Sequence, residues 1–199
     1  TVGEGGYEVN AWFRYDWKPL SLVEIQRGMQ LLTFSRADLL GMAQHLPEAV
    51  LDRRYPGERW SIRGVLRHIA NAEHWYMDRL ELANAGGRGA LPEDGFERLA
   101  SVRAQLEGVL PTLECVNMVR GKDGEFWSPR KLLRRAVWHE LDHIEHIVKL
   151  LAKLPLPRHR VRCMLISSCS LHLHNLRAMH LQDPLHVDES TAAIRFIAL

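Results

Sequence analysis

Cysteine is scarce in this chain: Cys115, Cys163 and Cys169 are the only three in 199 residues. They cannot all pair with one another and none stands in a C-x-x-C arrangement. Neither a disulfide framework nor a cysteine-rich zinc site is therefore expected, and a reducing cytoplasm is the setting that fits. Charge of one sign is lacking too. With 26 basic and 24 acidic side chains the formal net charge is +2, too weak a field to gather nucleic acid or anionic lipid, so neither is an expected partner. No apolar run approaches the roughly 20 residues that cross a bilayer. The opening residues also lack the basic stretch followed by an apolar one that marks an export signal. The chain opens with Thr1 rather than Met, and a segment upstream of it is expected.

Strand signals are as sparse as cysteine: no series of alternating apolar and polar residues recurs, and the periodicity is helical. Four long helical segments are marked by their punctuation. The first starts at Ser21, which forms an S-x-x-E capping box with Glu24, and runs to His45 ahead of Pro47. The second uses Ser61 as its cap and runs to Ala85, before Gly86-Gly87. The third spans Glu93 to Val116 on a stripe of Phe96, Leu99, Val102, Leu106, Val109, Leu110 and Leu113, with a kink expected at Pro111. The fourth begins at Ser128, carries Pro129 in the favoured first position, and ends near Leu154 before Pro155. Between the last two, Lys122-Asp123-Gly124 reads as a tight turn or short hairpin.

Four amphipathic helices with short connections must bury their stripes against one another. The expected fold is all-α, a four-helix bundle over residues 21–154. Two irregular extensions flank it. Residues 1–20 hold an aromatic cluster, Trp12, Phe13, Tyr15 and Trp17, which reads as a linker or the end of an upstream domain that packs on the bundle. Residues 155–199 carry five histidines and only three acidic side chains on an irregular apolar pattern, and read as an irregular C-terminal tail.

The chemistry is concentrated in histidine. The fourth helix contains His139-Glu140-Leu141-Asp142-His143. At about 100° per residue the two histidines stand one above the other, His143 within the apolar arc of that helix and His139 at its border. His68 likewise borders the buried face of the second helix, whereas His74 points about 120° away from it and is set aside. Three neutral imidazoles aimed at one seam suit a borderline divalent ion. The alternative is ordinary: histidines on core-facing helices that merely pack and hydrogen-bond. Two carboxylates, Glu140 and Glu73, also fall within otherwise apolar arcs, and a buried carboxylate needs a partner. Either they accept from the ligand imidazoles or handle a proton beside the metal, as catalytic residues, or they pair with an arginine such as Arg67 or Arg135.

The same string is a literal H-E-x-x-H, the signature of zinc peptidases in which the glutamate is the general base. The downstream glycine and third histidine of the metzincin form are missing after His143, and the only glutamate beyond Pro155 is Glu189. Peptidase activity is the weakest of the readings.

Two stretches, Trp60–Tyr76 and Arg135–Ile147, resemble the DinB/YfiT-like metal-binding four-helix bundles, and the likeness covers about residues 20–154 with helices one and three included. In that family a histidine of the second helix and an H-x-x-x-H pair of the last bind the metal, which the resemblance carries over to His68, His139 and His143. It implies a divalent metal cofactor, zinc or nickel. It also implies a low-molecular-weight thiol as cosubstrate, since the family includes thiol-dependent transferases and isomerases beside many members without an assigned reaction. The segment ending Trp17-Lys-Pro-Leu looks like a linker found in some members after a small upstream domain; the tail after Pro155 does not match the family. The functional expectation is a metal-dependent thiol S-transferase or hydrolase acting on a small molecule. The alternative is a non-enzymatic stress-response or metal-sensing module in which the bundle serves homodimerisation.

Overall fold

The computed structural model describes residues 10–154, so the tail expected over 155–199 lies outside the described residues. Four main helices, α1 (Leu22–Ala43), α3 (Ile62–Asp78), α4 (Gly95–Val109) and α5 (Pro129–Leu151), are joined by a short α2 (Glu48–Leu51), two 3₁₀ turns and one hairpin. Local chemistry explains each start. Ser21 takes the Glu24 backbone N–H at 3.3 Å while the Glu24 carboxylate takes the Ser21 N–H at 2.8 Å, closing the capping box. Ser61 accepts from Gly64 at 3.2 Å and Ser128 from Lys131 at 3.1 Å. Asp94 caps α4 through the Phe96 and Glu97 amides, so that helix starts at Gly95 rather than Glu93.

Helix ends differ from their sequence expectation for identifiable reasons. α3 stops at Asp78 instead of running to Ala85, because Glu81 turns left-handed at φ 60° and the Leu82 N–H returns to the Met77 carbonyl at 3.0 Å. α4 stops at Val109 and tightens into a 3₁₀ turn, Leu110–Leu113, instead of continuing kinked to Val116. Pro111 has no N–H to extend the α-helical ladder. The hairpin forms as a two-residue turn: β1 (Arg120–Lys122) pairs antiparallel with β2 (Glu125–Trp127), and Asp123 and Gly124 both take positive φ, 53° and 78°.

α3 packs against α4 and α5, and α1 against α5. Gly28 lets α1 approach α5, since a Cβ there would meet a Leu133 methyl at 2.5 Å. The stripes close one core in which Leu32, Leu39, Val65, Leu66, Met77, Val102, Leu106, Leu132 and Ile147 are fully buried. The segment before α1 lies across the start of α5. Arg134 pairs with buried Asp16 at 2.7 Å, and Lys131 donates to the carbonyls of Asn10 and Phe126. No described helix is long and apolar enough to cross a membrane.

Candidate metal centre

The rotation of α3 and α5 decides where the histidines go. Val65, Leu66 and Ile69 lock one face of α3 into the core, and Leu132, Ala136 and Ile147 do the same for α5. His68 and the His139–His143 pair then stand on facing edges of the two helices. Their ligand atoms all lie within 4.8 Å of one another. His139 Nε2 is 3.2 Å from His68 Nε2 and 3.2 Å from His143 Nε2. An imidazole nitrogen has one in-plane direction in which to donate a proton or present a lone pair. His139 Nε2 therefore cannot satisfy both neighbours by hydrogen bonding. A cation between the three satisfies them together: nitrogens at about 2.0–2.1 Å from a tetrahedral ion are about 3.3 Å apart. The donor set present fits the divalent metal that the sequence led us to expect.

Rings hold the imidazoles in place. Trp60 stacks on His68 with centroids 4.3 Å apart, and its ring meets His143 at 74°. Tyr76 stands edge-on to His139 at 5.8 Å. Ligand histidines usually donate their second N–H to a carboxylate or carbonyl; here no Nδ1 of the three has a protein partner among the described residues, and that of His143 is fully buried. Trp60 and Tyr76 were not singled out from the sequence as supports, although both lie within the stretch that carries the resemblance. His74 is buried elsewhere on α3 and takes no part in the cluster.

Burial first, and then the neighbouring His143 and His68, push the His139 pKa down to about 2; burial and then His68 push that of His143 down to about 3. His68 is lowered as well, by burial and by Arg59. All three are neutral near pH 7, the form in which imidazole binds a metal. In the metal-free protein this has a consequence for stability. Between those folded-state values and the ordinary 6.5, the unfolded chain takes up protons that the folded chain refuses. Stability should fall as pH drops below about 6.5, by up to about 1.4 kcal/mol per pH unit for each of the two histidines. Urea unfolding at pH 7 and pH 5 measures the loss, and a His139→Leu variant should flatten it; an unchanged slope would contradict this account.

Glu140 and Glu73 depart from the place expected for them beside the imidazoles. Both carboxylates turn instead to two arginines. Arg103 donates to Glu73 at 3.0 and 2.9 Å and to Glu140 at 2.9 Å, and Arg36 donates to Glu140 at 3.1 and 2.7 Å. Ser35 adds its hydroxyl to Glu140 at 2.6 Å. Neither carboxylate hydrogen-bonds to a ligand histidine, so the H-E-x-x-H string lacks a free general base, and proton handling by this pair has no geometric support. The arginine pairing anticipated from sequence does occur, but Arg67 and Arg135 are not the partners. Arg67 reaches exposed Glu93 and Arg135 reaches the Tyr76 hydroxyl. A signal for the true partners exists in the sequence, since Arg103 is in helical register with Leu99 and Leu106, as Arg36 is with Leu32 and Leu39.

No curated protein and no solved structure matches this chain. A family does. Its model matches residues 31–147, which hold most of the helical bundle and all three histidines, and the chain belongs to the DinB superfamily.

Proposed function

We propose that His68, His139 and His143 hold one divalent ion, zinc or nickel, and that this centre serves a metal-dependent thiol S-transfer or hydrolysis on a small-molecule substrate. The observation that carries the reading is the convergence of three neutral Nε2 atoms at spacings that hydrogen bonding cannot satisfy. Three protein ligands leave a position open, the arrangement of catalytic rather than structural zinc. Such an ion supplies Lewis acidity and lowers the pKa of a thiol or water brought to it. The chain's own residues do the rest. The imidazoles present lone pairs, Trp60 and Tyr76 fix the rings and keep bulk water away, and the Arg103–Glu73–Glu140–Arg36 network fixes the rotation of the helices that carry the ligands.

Elemental analysis of the purified full chain should find about one zinc or nickel per chain. Turnover of electrophiles should then depend on that metal and on bacillithiol, mycothiol or glutathione. Metal below a tenth of an equivalent after incubation with either ion would sink the metal reading; full metal with no turnover across the thiol panel would sink transfer. One observation favours a second reading, a non-enzymatic metal-sensing or stress-response module acting as a homodimer. Phe13, Trp17, Leu22 and Val23 are exposed together along the segment that enters α1. A concentration-dependent dimer that holds metal but turns nothing over would support it.

A further inference from the structure

Four arginines are buried among the described residues: Arg79, Arg98, Arg103 and Arg135. Three have a carboxylate within 4 Å: Arg79 meets Asp123, Arg98 meets Glu93 at 3.8 Å, and Arg103 meets Glu73 and Glu140. Arg135 has none. The residue is 5% exposed, and its guanidinium donates one hydrogen bond, to the Tyr76 hydroxyl at 3.1 Å; its Nε is buried without an acceptor among the described residues. It lies 4.7 Å from the Trp138 ring and 5.5 Å from that of Tyr76. These contacts orient a cation without neutralising it, and an uncompensated buried charge is expensive.

Its place in the fold gives that charge a use. Arg135 precedes His139 by one helical turn on the same face of α5, and the Tyr76 side chain it grips is the one set edge-on against His139. Its charge is felt at both His139 and His143, adding to the burial that keeps them neutral. The nearby carboxylates are no remedy, because Glu73 and Glu140 are already matched by Arg103 and Arg36, and burial keeps the Tyr76 phenol neutral by raising its pKa. A divalent ion on three neutral imidazoles would add its charge to that of a guanidinium with no carboxylate within 4 Å among the described residues; Glu125, whose charge is felt at Tyr76, accepts from Asn10 and Trp127. A guanidinium is shaped for a planar oxyanion, which it grips by two parallel N–H donors. Because His139 and His143 are themselves 9% and 7% exposed, the group that enters must be compact.

We propose that Arg135 is a substrate-recognition residue that holds a compact carboxylate, the anionic end of the small-molecule substrate, beside the three-histidine centre. The proposal rests on the metal reading given above and adds the substrate's charge and the group that reads it.

The test uses acetate as probe on the full chain loaded with cobalt(II), whose visible bands report on the metal. Acetate should shift the wild-type bands saturably. Arg135→Met should bind acetate about 10- to 100-fold more weakly, with cobalt stoichiometry unchanged and a melting temperature equal to or above wild type, because it removes an unpaired buried charge. Arg135→Lys, which keeps the charge and loses the fork, should fall between. Equal acetate affinity in wild type and both variants overturns the proposal, as does a wild type that never saturates. Should the chain retain no cobalt, acetate is titrated calorimetrically into the metal-free protein. Arg135-dependent binding there sustains the anion site while the metal reading fails, and its absence rejects both.

Discussion

Replacing Arg103 with methionine should destabilise the fold by about 3–5 kcal/mol, the usual consequence of removing one partner from a buried ion pair. Glu73 and Glu140 are 3% and 0% exposed and come from different helices, α3 and α5. Arg103 bridges them from α4 and also donates to the Leu32 carbonyl of α1 at 2.8 Å. With Arg36, two positive and two negative side chains cancel. Burial alone would lower the pKa of Arg103, yet Glu73 and Glu140 hold it above its ordinary value. Without Arg103 the buried Glu73 keeps no hydrogen-bond donor among the described residues, only Arg36 at 3.6 Å, while Glu140 keeps Arg36 and Ser35. Urea unfolding should show a lower midpoint at unchanged slope. The double variant Arg103→Met with Glu73→Gln, which restores neutrality, should recover a large part of the loss. If single and double variants unfold alike, charge balance is not what the network supplies. Since Glu140 adjoins His139 and Glu73 shares α3 with His68, the single variant should also loosen the three-histidine cluster.

His139→Ala should weaken divalent-metal binding by at least about 100-fold, more than the 10- to 100-fold typical of groups that only support a ligand. His139 is the middle donor, with its Nε2 3.2 Å from each of the other two. Its loss leaves two nitrogens without the third that closes the site. His146 is the fitting control: its ring lies 5.9 Å from that of His143, but its Nε2 is engaged by Glu58 at 3.1 Å. His146→Ala should change affinity by less than about tenfold. Competition with a chelator of known affinity measures both. An unchanged affinity in His139→Ala would remove the three-histidine site from consideration.

What was legible in the sequence was what local geometry controls. Ser21 with Glu24, Ser61 and Ser128 with Pro129 start helices because each satisfies amides within the next turn. Asp123-Gly124 makes a two-residue turn because both accept positive φ. His139 and His143 share a face because four residues are nearly one helical turn. The ends of α3 and α4 were less legible, since the left-handed Glu81 and the 3₁₀ turn around Pro111 settle them against neighbouring structure.

The sequence by itself determined four amphipathic helical segments, the pairing of His139 with His143, and the presence of two carboxylates where apolar residues belong. Only the tertiary structure decided that His68 reaches the same point, that Arg103 and Arg36 claim Glu73 and Glu140, and that the Nε of Arg135 is buried without an acceptor among the described residues. The physical reason is the range of the interactions. A helical period fixes directions within one element, whereas which side chains meet depends on how helices rotate and slide until their apolar faces are buried together.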